Sequence, residues 1–177
     1  QGPFDCLIHL GDGVQDGIAV AGELGIPFYG VCGNEDFNVA APETLRLVLG
    51  SWTFFLMHGH QLDINAYQSG QVWESHLAAM ADCARKKEAQ VFLFGHTHRP
   101  LLKEVNGTVI VNPGDQYIGS TLPPSLAVME LTSDTLSIKI LRQGREGDWV
   151  ALVVHEAHHP GIDTAAAKGH GTRQTNP

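Results

Sequence analysis

Cysteine, basic residues and long apolar runs are all scarce in this sequence. Its 177 residues include 3 cysteines, and 11 lysines and arginines stand against 19 aspartates and glutamates, which gives a formal charge of −8 at pH 7. Cysteines without paired spacing argue against a disulfide framework, so we expect reduced thiols and a cytoplasmic protein. The apolar runs are far shorter than the ~20 residues that cross a bilayer, which argues against a membrane protein.

The acidic balance also limits the ligands. Long nucleic acid requires a basic surface, so we exclude it as a partner. A site for phosphate in so acidic a chain requires bound cations that reverse the local field. The composition is otherwise that of one globular domain, with 43% hydrophobic and 17% charged residues and a length that allows a sizeable core.

Apolar periodicity predicts strands alternating with helices at first and antiparallel hairpins later. This order indicates an α/β fold, with two mixed sheets packed together and helices outside them. We predict helices over 14–24 and 68–88, and strands over 4–10, 27–31, 45–49, 53–57, 91–94, 101–105, 108–111, 126–131 and 136–141. The folded domain is expected to span 1–142, and 143–177 to hold a strand-like segment, 150–155, and a flexible tail.

Polar loops that contain glycine follow four of the predicted strands. They are Gly11-Asp12, Gly33-Asn34, His58-Gly59-His60 and Gly95-His96-Thr97-His98. Strands that end together in one sheet bring their following loops to one edge, so we expect these side chains to converge. Turn chemistry explains Asn, Asp and Gly at strand ends but does not call for histidine. Carboxylate, amide and imidazole donors suit Mn, Zn or Fe better than a thiolate site does, and they predict metal-dependent hydrolysis.

In this order, the motifs GD, GN-x-D, HGH and GHTH resemble those of the calcineurin-like metallophosphoesterases, most closely the small bacterial YfcE-like phosphodiesterases. Asn112-Pro113-Gly114 and Pro124-Ser125 fit the same subgroup, and the resemblance covers roughly 4–142. It implies a four-layer αββα sandwich. It also implies hydrolysis of a small phosphodiester or nucleotide substrate, with a homo-oligomer as a possible assembly.

The resemblance implies a centre with two divalent ions, with Mn as the first choice and Zn, Fe or Ni as alternatives. Asp12 would bridge both ions, Asn34, His58 and His96 would complete one, and His98 would bind the other. Such ions, ~3.5–4 Å apart, share a water and ionise it near neutral pH. The bridging hydroxide would then attack phosphorus in line, which gives Asp12, Asn34 and His58 catalytic roles.

The chain departs from the family pattern at two points. No Asp-x-His motif precedes Gly11-Asp12, and without it the ion bound by His98 lacks two ligands. Glu35 stands where many relatives carry a histidine as general acid, and it could donate a proton only if its pKa were raised. His60 and Arg99 are expected on the substrate side of the site.

A segment near the end of the sequence resembles the missing motif. The run 150–154 is strand-like and leads into His155-Glu156-Ala157-His158, so Glu156 and His158 could fill the vacant position in an effectively permuted chain. The same residues match the His-Glu-x-x-His pattern of zinc proteases, which requires a helix. Pro160-Gly161 disfavours that helix, and a histidine-rich tail without a role is the third interpretation.

A non-catalytic scaffold is the rival function. A retromer subunit shares this compact fold and the HGH and GHTH motifs but serves protein interaction. The missing Asp-x-His motif and Glu35 favour the scaffold. The five intact ligands favour the enzyme, because a scaffold has no need to keep them.

Overall fold

Ten strands and two α-helices make up the fold in a computed structural model, which describes residues 4–65, 67–115 and 122–160. In chain order they are β1 (Leu7–His9), α1 (Val14–Leu24), β2 (Phe28–Gly30), β3 (Thr44–Leu49), β4 (Trp52–Met57), α2 (Gly70–Lys86), β5 (Val91–Leu93), β6 (Leu101–Val105), β7 (Thr108–Asn112), β8 (Ser125–Leu131), β9 (Thr135–Gln143) and β10 (Trp149–His158). A 3-10 turn, His60–Leu62, follows β4.

The central sheet is mixed and has the strand order β3-β4-β5-β7-β6. Its inner pairs, β4 with β5 and β5 with β7, are parallel, and its two outer pairs are antiparallel. β1 and β2 form a separate parallel pair, and β8, β9 and β10 form an antiparallel sheet. The α/β class with mixed strand pairing is therefore confirmed. No strand among the described residues joins β1 to β8, and the complete four-layer arrangement stays a prediction.

The core lies on both faces of the central sheet, because side chains alternate along a strand. On β4, Phe54 packs with Ile138 of β9 in one apolar cluster. Its neighbour Phe55 packs with Met80 of α2 in another. All six residues of β4 are buried, so this strand holds the start of the loop at His58 firmly in place.

The helices begin and end on recognisable signals. Ser69 caps α2 by accepting a hydrogen bond from the Val72 amide, and Arg85 and Lys86 occupy the last turn, where cations oppose the helix dipole. Gly25 ends α1 in the left-handed conformation. Among the described residues, neither helix offers an apolar stretch of the length needed to span a membrane.

β10 is longer than the predicted 150–155 segment. It pairs antiparallel with β9 from Trp149 to His158, and it packs Val153 and Ala157 against the core. This segment therefore extends the antiparallel sheet beyond 142. The tail predicted after it, 161–177, lies outside the described residues.

Candidate metal centre

Three side chains from separate loops meet at the ends of β1, β4 and β5. Nε2 of His58 lies 3.1 Å from Oδ2 of Asp12 and 3.2 Å from Nδ1 of His96. His58 is 2% exposed, and its position follows directly from the buried strand β4. The predicted convergence of loops that are distant in sequence is therefore present for these three residues.

The tautomer of His58 is determined by its other nitrogen. Nδ1 lies 2.6 Å from the carbonyl oxygen of Leu10, which can only accept, so Nδ1 carries a proton. In the neutral ring, Nε2 then presents a lone pair to the Asp12 carboxylate and to His96. One proton on His96 can satisfy one of these contacts but not both. A cation among the three atoms would satisfy all of them.

The spacing of these donors fits a metal ion. Adjacent ligands on a tetrahedral ion with Zn–N bonds of about 2.0–2.1 Å lie roughly 3.3–3.4 Å apart. The two contacts of His58, 3.1 and 3.2 Å, are close to that separation. Within residues 4–65, 67–115 and 122–160, however, no group of three or more His, Cys, Asp or Glu side chains is arranged so that it could hold a metal ion as it stands. The donor types and these two separations therefore suit a metal ion, but the described side chains do not form a complete metal site.

Asp36 supports the turn that carries Asp12. Its carboxylate accepts hydrogen bonds from the backbone amides of Asp12, Gly13, Val14 and Gly33, at 2.7–3.0 Å. It thereby also caps α1, whose first residues have no other side-chain cap. Burial raises the pKa of Asp36, but the four amide bonds outweigh burial and leave the pKa below its usual value. Asp36 therefore orients the loop that carries Asp12.

Two glycines allow the loops to approach one another. A Cβ at Gly11 would lie 2.6 Å from both the Gly33 amide nitrogen and Nδ1 of His58, and φ there is +94°. A Cβ at Gly33 would lie 2.5 Å from the Asp12 amide nitrogen. Any side chain at either position would push Asp12 away from His58.

Three of the five predicted ligands have strained backbones. Asp12, His96 and His98 have φ values of 56°, 63° and 55°, in the left-handed region that residues other than glycine rarely adopt. Strain of this kind costs on the order of 1–3 kcal/mol per residue and concentrates at functional sites. The alternating conformation of the 95–98 loop turns its two histidines to different neighbours.

Asn112 holds the 95–98 loop in place. This fully buried side chain donates to the carbonyl of Gly95 at 2.7 Å and to the hydroxyl of Thr97 at 3.0 Å, and its own oxygen accepts from the Gly114 amide. In the sequence, Asn112 stands out only as part of the Asn112-Pro113-Gly114 family motif. Its supporting role depends on contacts between two loops that no local pattern reveals.

Asp115 supports the second histidine of the loop. Nδ1 of His98 lies 3.4 Å from Oδ1 of Asp115, which is buried, whereas the His98 ring is 45% exposed. A carboxylate on one imidazole nitrogen orients the other for metal binding. Sequence reasoning missed Asp115, although it follows a buried strand and a Pro-Gly turn much as the predicted ligands do.

The electrostatics keep His96 available as a ligand. Burial lowers the pKa of His96 below its ordinary value, and the neighbouring His58 lowers this pKa further, although Asp12 opposes the change. The ring is therefore neutral near pH 7. A neutral imidazole is the form that binds metal.

The other predicted site residues lie around this cluster. Asn34 is exposed on the turn whose next residue, Glu35, donates its amide to Oδ1 of Asp12 at 2.8 Å. The His60 ring lies 5.4 Å from that of His58. Arg99 follows His98 directly and places its guanidinium 5.3 Å from the centre of the Tyr67 ring.

Glu156 and His158 do not join the cluster, which corrects the permuted-motif hypothesis. Both are exposed on β10, and the adjacent His159 packs edge-on against Trp52, at the first residue of β4. His58 follows the last residue of that strand, six residues beyond Trp52 and roughly 20 Å from it at ~3.3 Å per residue. β10 pairs with β9 and not with β1, because apolar residues on one face of β10, such as Val153 and Ala157, pack against the core beside β9. A zinc-protease helix is also excluded, since these residues form a strand.

Comparisons with known proteins identify a family and its relatives. The model of the calcineurin-like phosphoesterase superfamily domain matches residues 1–134. A probable metallophosphoesterase of Methanothermobacter thermautotrophicus is 25% identical over 142 residues, which cover 79% of this chain and 77% of that protein.

Two solved structures share the fold. A predicted phosphoesterase from Streptococcus pneumoniae has a TM-score of 0.66 and 24% identity, over 89% of this chain and 83% of its own. Wild-type Vps29 from Entamoeba histolytica, complexed with Zn²⁺, has a TM-score of 0.67 and 22% identity, over 88% of this chain and 82% of its own. At these identities the two structures establish similarity of fold alone.

Proposed function

This chain belongs to the calcineurin-like phosphoesterase superfamily, whose model matches residues 1–134, and we propose that it is a metal-dependent phosphodiesterase. The observation that carries the proposal is the meeting of Asp12, His58 and His96 within 3.1–3.2 Å contacts. The proposed substrates are phosphodiesters of small molecules or short nucleotides. Similarity to the predicted phosphoesterase of S. pneumoniae supports a place in the small bacterial YfcE-like subgroup.

Two divalent ions are the proposed cofactors. Asn34, His58 and His96 would hold one ion, His98 the other, and Asp12 both. Mn is the leading choice, Zn is supported by the Zn²⁺ complex of Vps29, and Fe or Ni also suit these donors. When bound, such ions supply Lewis acidity, which lowers the pKa of water and stabilises negative charge on the phosphate.

The protein's own contribution is to fix the donors before substrate arrives. The Leu10 carbonyl sets the His58 tautomer, Asp36 holds the Asp12 turn, and Asn112 holds the 95–98 loop. Groups held in this way need little reorganisation during the reaction, which is the main source of electrostatic catalysis.

Residues beside the cluster are proposed to contact the substrate. Arg99 would contact the substrate, because it is the one Arg or Lys adjacent in sequence to a proposed ligand. His60 would line the substrate side from the 3-10 turn. Glu35, exposed on the turn beside Asp12, is the candidate proton donor to the leaving group.

The non-catalytic scaffold is the second candidate. Glu35 in the position of a catalytic histidine favours it. A scaffold has no need for metal donors that are held in place by Asp36, by Asn112 and by a strained 95–98 loop. We therefore rank it below the enzyme.

Hydrolysis of bis(p-nitrophenyl) phosphate, with and without added Mn²⁺, tests the function. Wild-type turnover should be lost in EDTA and restored by Mn²⁺, and His58→Ala should lower it by at least ~100-fold, beyond the 10–100-fold typical of residues that only support a ligand. His158→Ala is the matched control, because this histidine is exposed on β10, and it should leave turnover unchanged. Absence of both turnover and metal uptake in the wild type would favour the scaffold.

A further inference from the structure

A cavity of about 250 Å³ lies beside the 95–98 loop. Its lining residues come from α2, the end of β5, the loop itself and the start of β6, and they are Trp73, Phe94, Thr97, Arg99, Pro100 and Leu101. The lining side chains are mostly apolar, and their polar groups are the Thr97 hydroxyl, the Arg99 guanidinium and the Trp73 indole N–H. Small-molecule sites have this composition, in which apolar walls are combined with a few fixed polar groups.

The cavity adjoins the metal ligands. Thr97 lies between His96 and His98, and Asn112 fixes its hydroxyl. Phe94 forms the wall shared with the HGH turn, because a Cβ at Gly59 would lie 3.5 Å from the Phe94 ring and 3.3 Å from Cβ of His96. A group in this cavity would therefore be one loop away from a phosphate held at the metal centre.

The rim carries features that recognise planar rings. The Arg99 guanidinium lies 5.3 Å from the centre of the Tyr67 ring, and Tyr67 is 89% exposed. Trp73 on the cavity wall is half-buried. Aromatic faces and guanidinium planes stack on nucleobases regardless of base identity. The volume is below the ~300–1,000 Å³ of sites for drug-sized ligands, so it suits one planar ring system rather than an oligomer.

We propose that this cavity is the subsite for the planar aromatic group of the substrate, which is then a nucleobase-bearing phosphodiester. The inference rests on the proposed phosphodiesterase function, because the metal centre must hold the phosphate. Trp73 contacts the base, Phe94 lies buried behind the cavity wall, and Arg99 closes over the base at the rim. The scarcity of hydrogen-bonding groups in the lining means weak discrimination among bases.

A pair of substrates with the same leaving group tests the subsite. Thymidine 5′-(p-nitrophenyl phosphate) and methyl p-nitrophenyl phosphate both release p-nitrophenol, so the ratio of their kcat/KM values measures the effect of the nucleoside. The wild type should prefer the nucleoside ester, and Trp73→Ala should reduce the ratio by roughly 5- to 150-fold, the range for loss of one base-stacking contact. Val72→Ala, on an exposed residue of the same helix, is the control and should preserve the ratio.

A second variant and a binding measurement keep the test decisive. Arg99→Gln removes an exposed side chain, so it should fold normally, and it should lower the ratio by about 2- to 30-fold, the range for loss of a cation–π contact. Equal ratios in the wild type, Trp73→Ala and Arg99→Gln would overturn the subsite while the phosphodiesterase function stands. Bis(p-nitrophenyl) phosphate, assayed beside the two esters, tests whether the subsite accepts any simple aryl group. If the wild type prefers this diester to the nucleoside ester, the nucleobase assignment is overturned.

Calorimetry with thymidine 5′-monophosphate and ribose 5-phosphate separates the two hypotheses if neither ester is hydrolysed. Tighter binding of the nucleotide, weakened by Trp73→Ala, would support the subsite in a protein without phosphodiesterase activity. Equal binding of both phosphates would overturn it.

Discussion

The imidazole of His58 joins two loops, with Nε2 lying 3.1 Å from the Asp12 carboxylate and Nδ1 donating to the Leu10 carbonyl at 2.6 Å. The ring cannot turn away without breaking the second bond. The fold therefore fixes the His58 ring with Nε2 facing Asp12. His96, the third donor, lies beside the same nitrogen.

Divalent cations should stabilise the folded protein through this contact. A ligand at 100 times its Kd contributes about 2.7 kcal/mol, and 1 kcal/mol shifts Tm by about 2–4 °C in a chain of 150–250 residues. We therefore expect Mn²⁺ or Zn²⁺ to raise Tm by about 5–10 °C in a thermal melt. His58→Ala should abolish most of the shift, whereas His158→Ala should retain it. An equal shift in His58→Ala would place the ion elsewhere.

Asp36→Asn should destabilise the fold and make its stability less dependent on pH. The substitution replaces charge-assisted bonds to four amides, for which we expect a loss of about 1–3 kcal/mol in urea unfolding. Because the folded pKa of Asp36 is lowered, its contribution is fully present above the unfolded value of about 3.9 and is lost as pH falls through the folded pKa.

The difference in unfolding free energy between wild type and Asp36→Asn should therefore be constant near pH 7 and shrink below about pH 4. Asp82→Asn is the control. Asp82 is exposed and forms an ion pair with Arg85, one turn along the same helix, so its effect should stay within about 0.5 kcal/mol. A difference that grows on acidification would contradict the role given to Asp36.

Local periodicity predicts most of the fold. The helix predicted over 14–24 matches α1, and the hairpin at Asn106-Gly107 joins β6 and β7 with positive φ at both turn residues. The strand predicted over 4–10 is shorter, Leu7–His9, because its length is limited by its partner β2. β10 is longer than predicted, because pairing with β9 extends it through residues 156–158.

The candidate site could be predicted only where each residue has a local signal. Asp12, His58 and His96 each come shortly after a strand, and that position indicated their convergence. Asn112 and Asp115 act by bonding to another loop, and no spacing within the sequence specifies which loop that is. The prediction for Glu156 and His158 was wrong for the same reason. A strand followed by a motif does not determine which sheet edge that strand joins.

Asn112→Ala should destabilise the protein and loosen the 95–98 loop. The side chain is fully buried and makes three hydrogen bonds. Its removal leaves the three partner groups without these bonds, and each buried group left unsatisfied costs about 1–3 kcal/mol of stability. We expect a loss of at least ~2 kcal/mol in urea unfolding and weaker metal binding. Asn106→Gly is the control, since φ of 49° at this exposed turn suits glycine, and its effect should remain small. A variant as stable as the wild type would show that the loop is held by other contacts.

Asp115→Asn should weaken the ion assigned to His98 more than the ion held by His58 and His96. The buried Asp115 carboxylate lies 3.4 Å from Nδ1 of the half-exposed His98 ring and orients its Nε2. Loss of such a supporting carboxylate costs roughly 10- to 100-fold in metal affinity, whereas the isosteric amide preserves the packing.

Calorimetric titration with Mn²⁺ or Zn²⁺ should show two binding events in the wild type, with the Asp115→Asn variant selectively weakened in one. Glu130→Gln, which alters only an exposed ion pair with Lys139, should leave both events unchanged. Equal weakening of both events would mean that Asp115 supports the loop as a whole, through the 95–98 backbone, and not His98 alone.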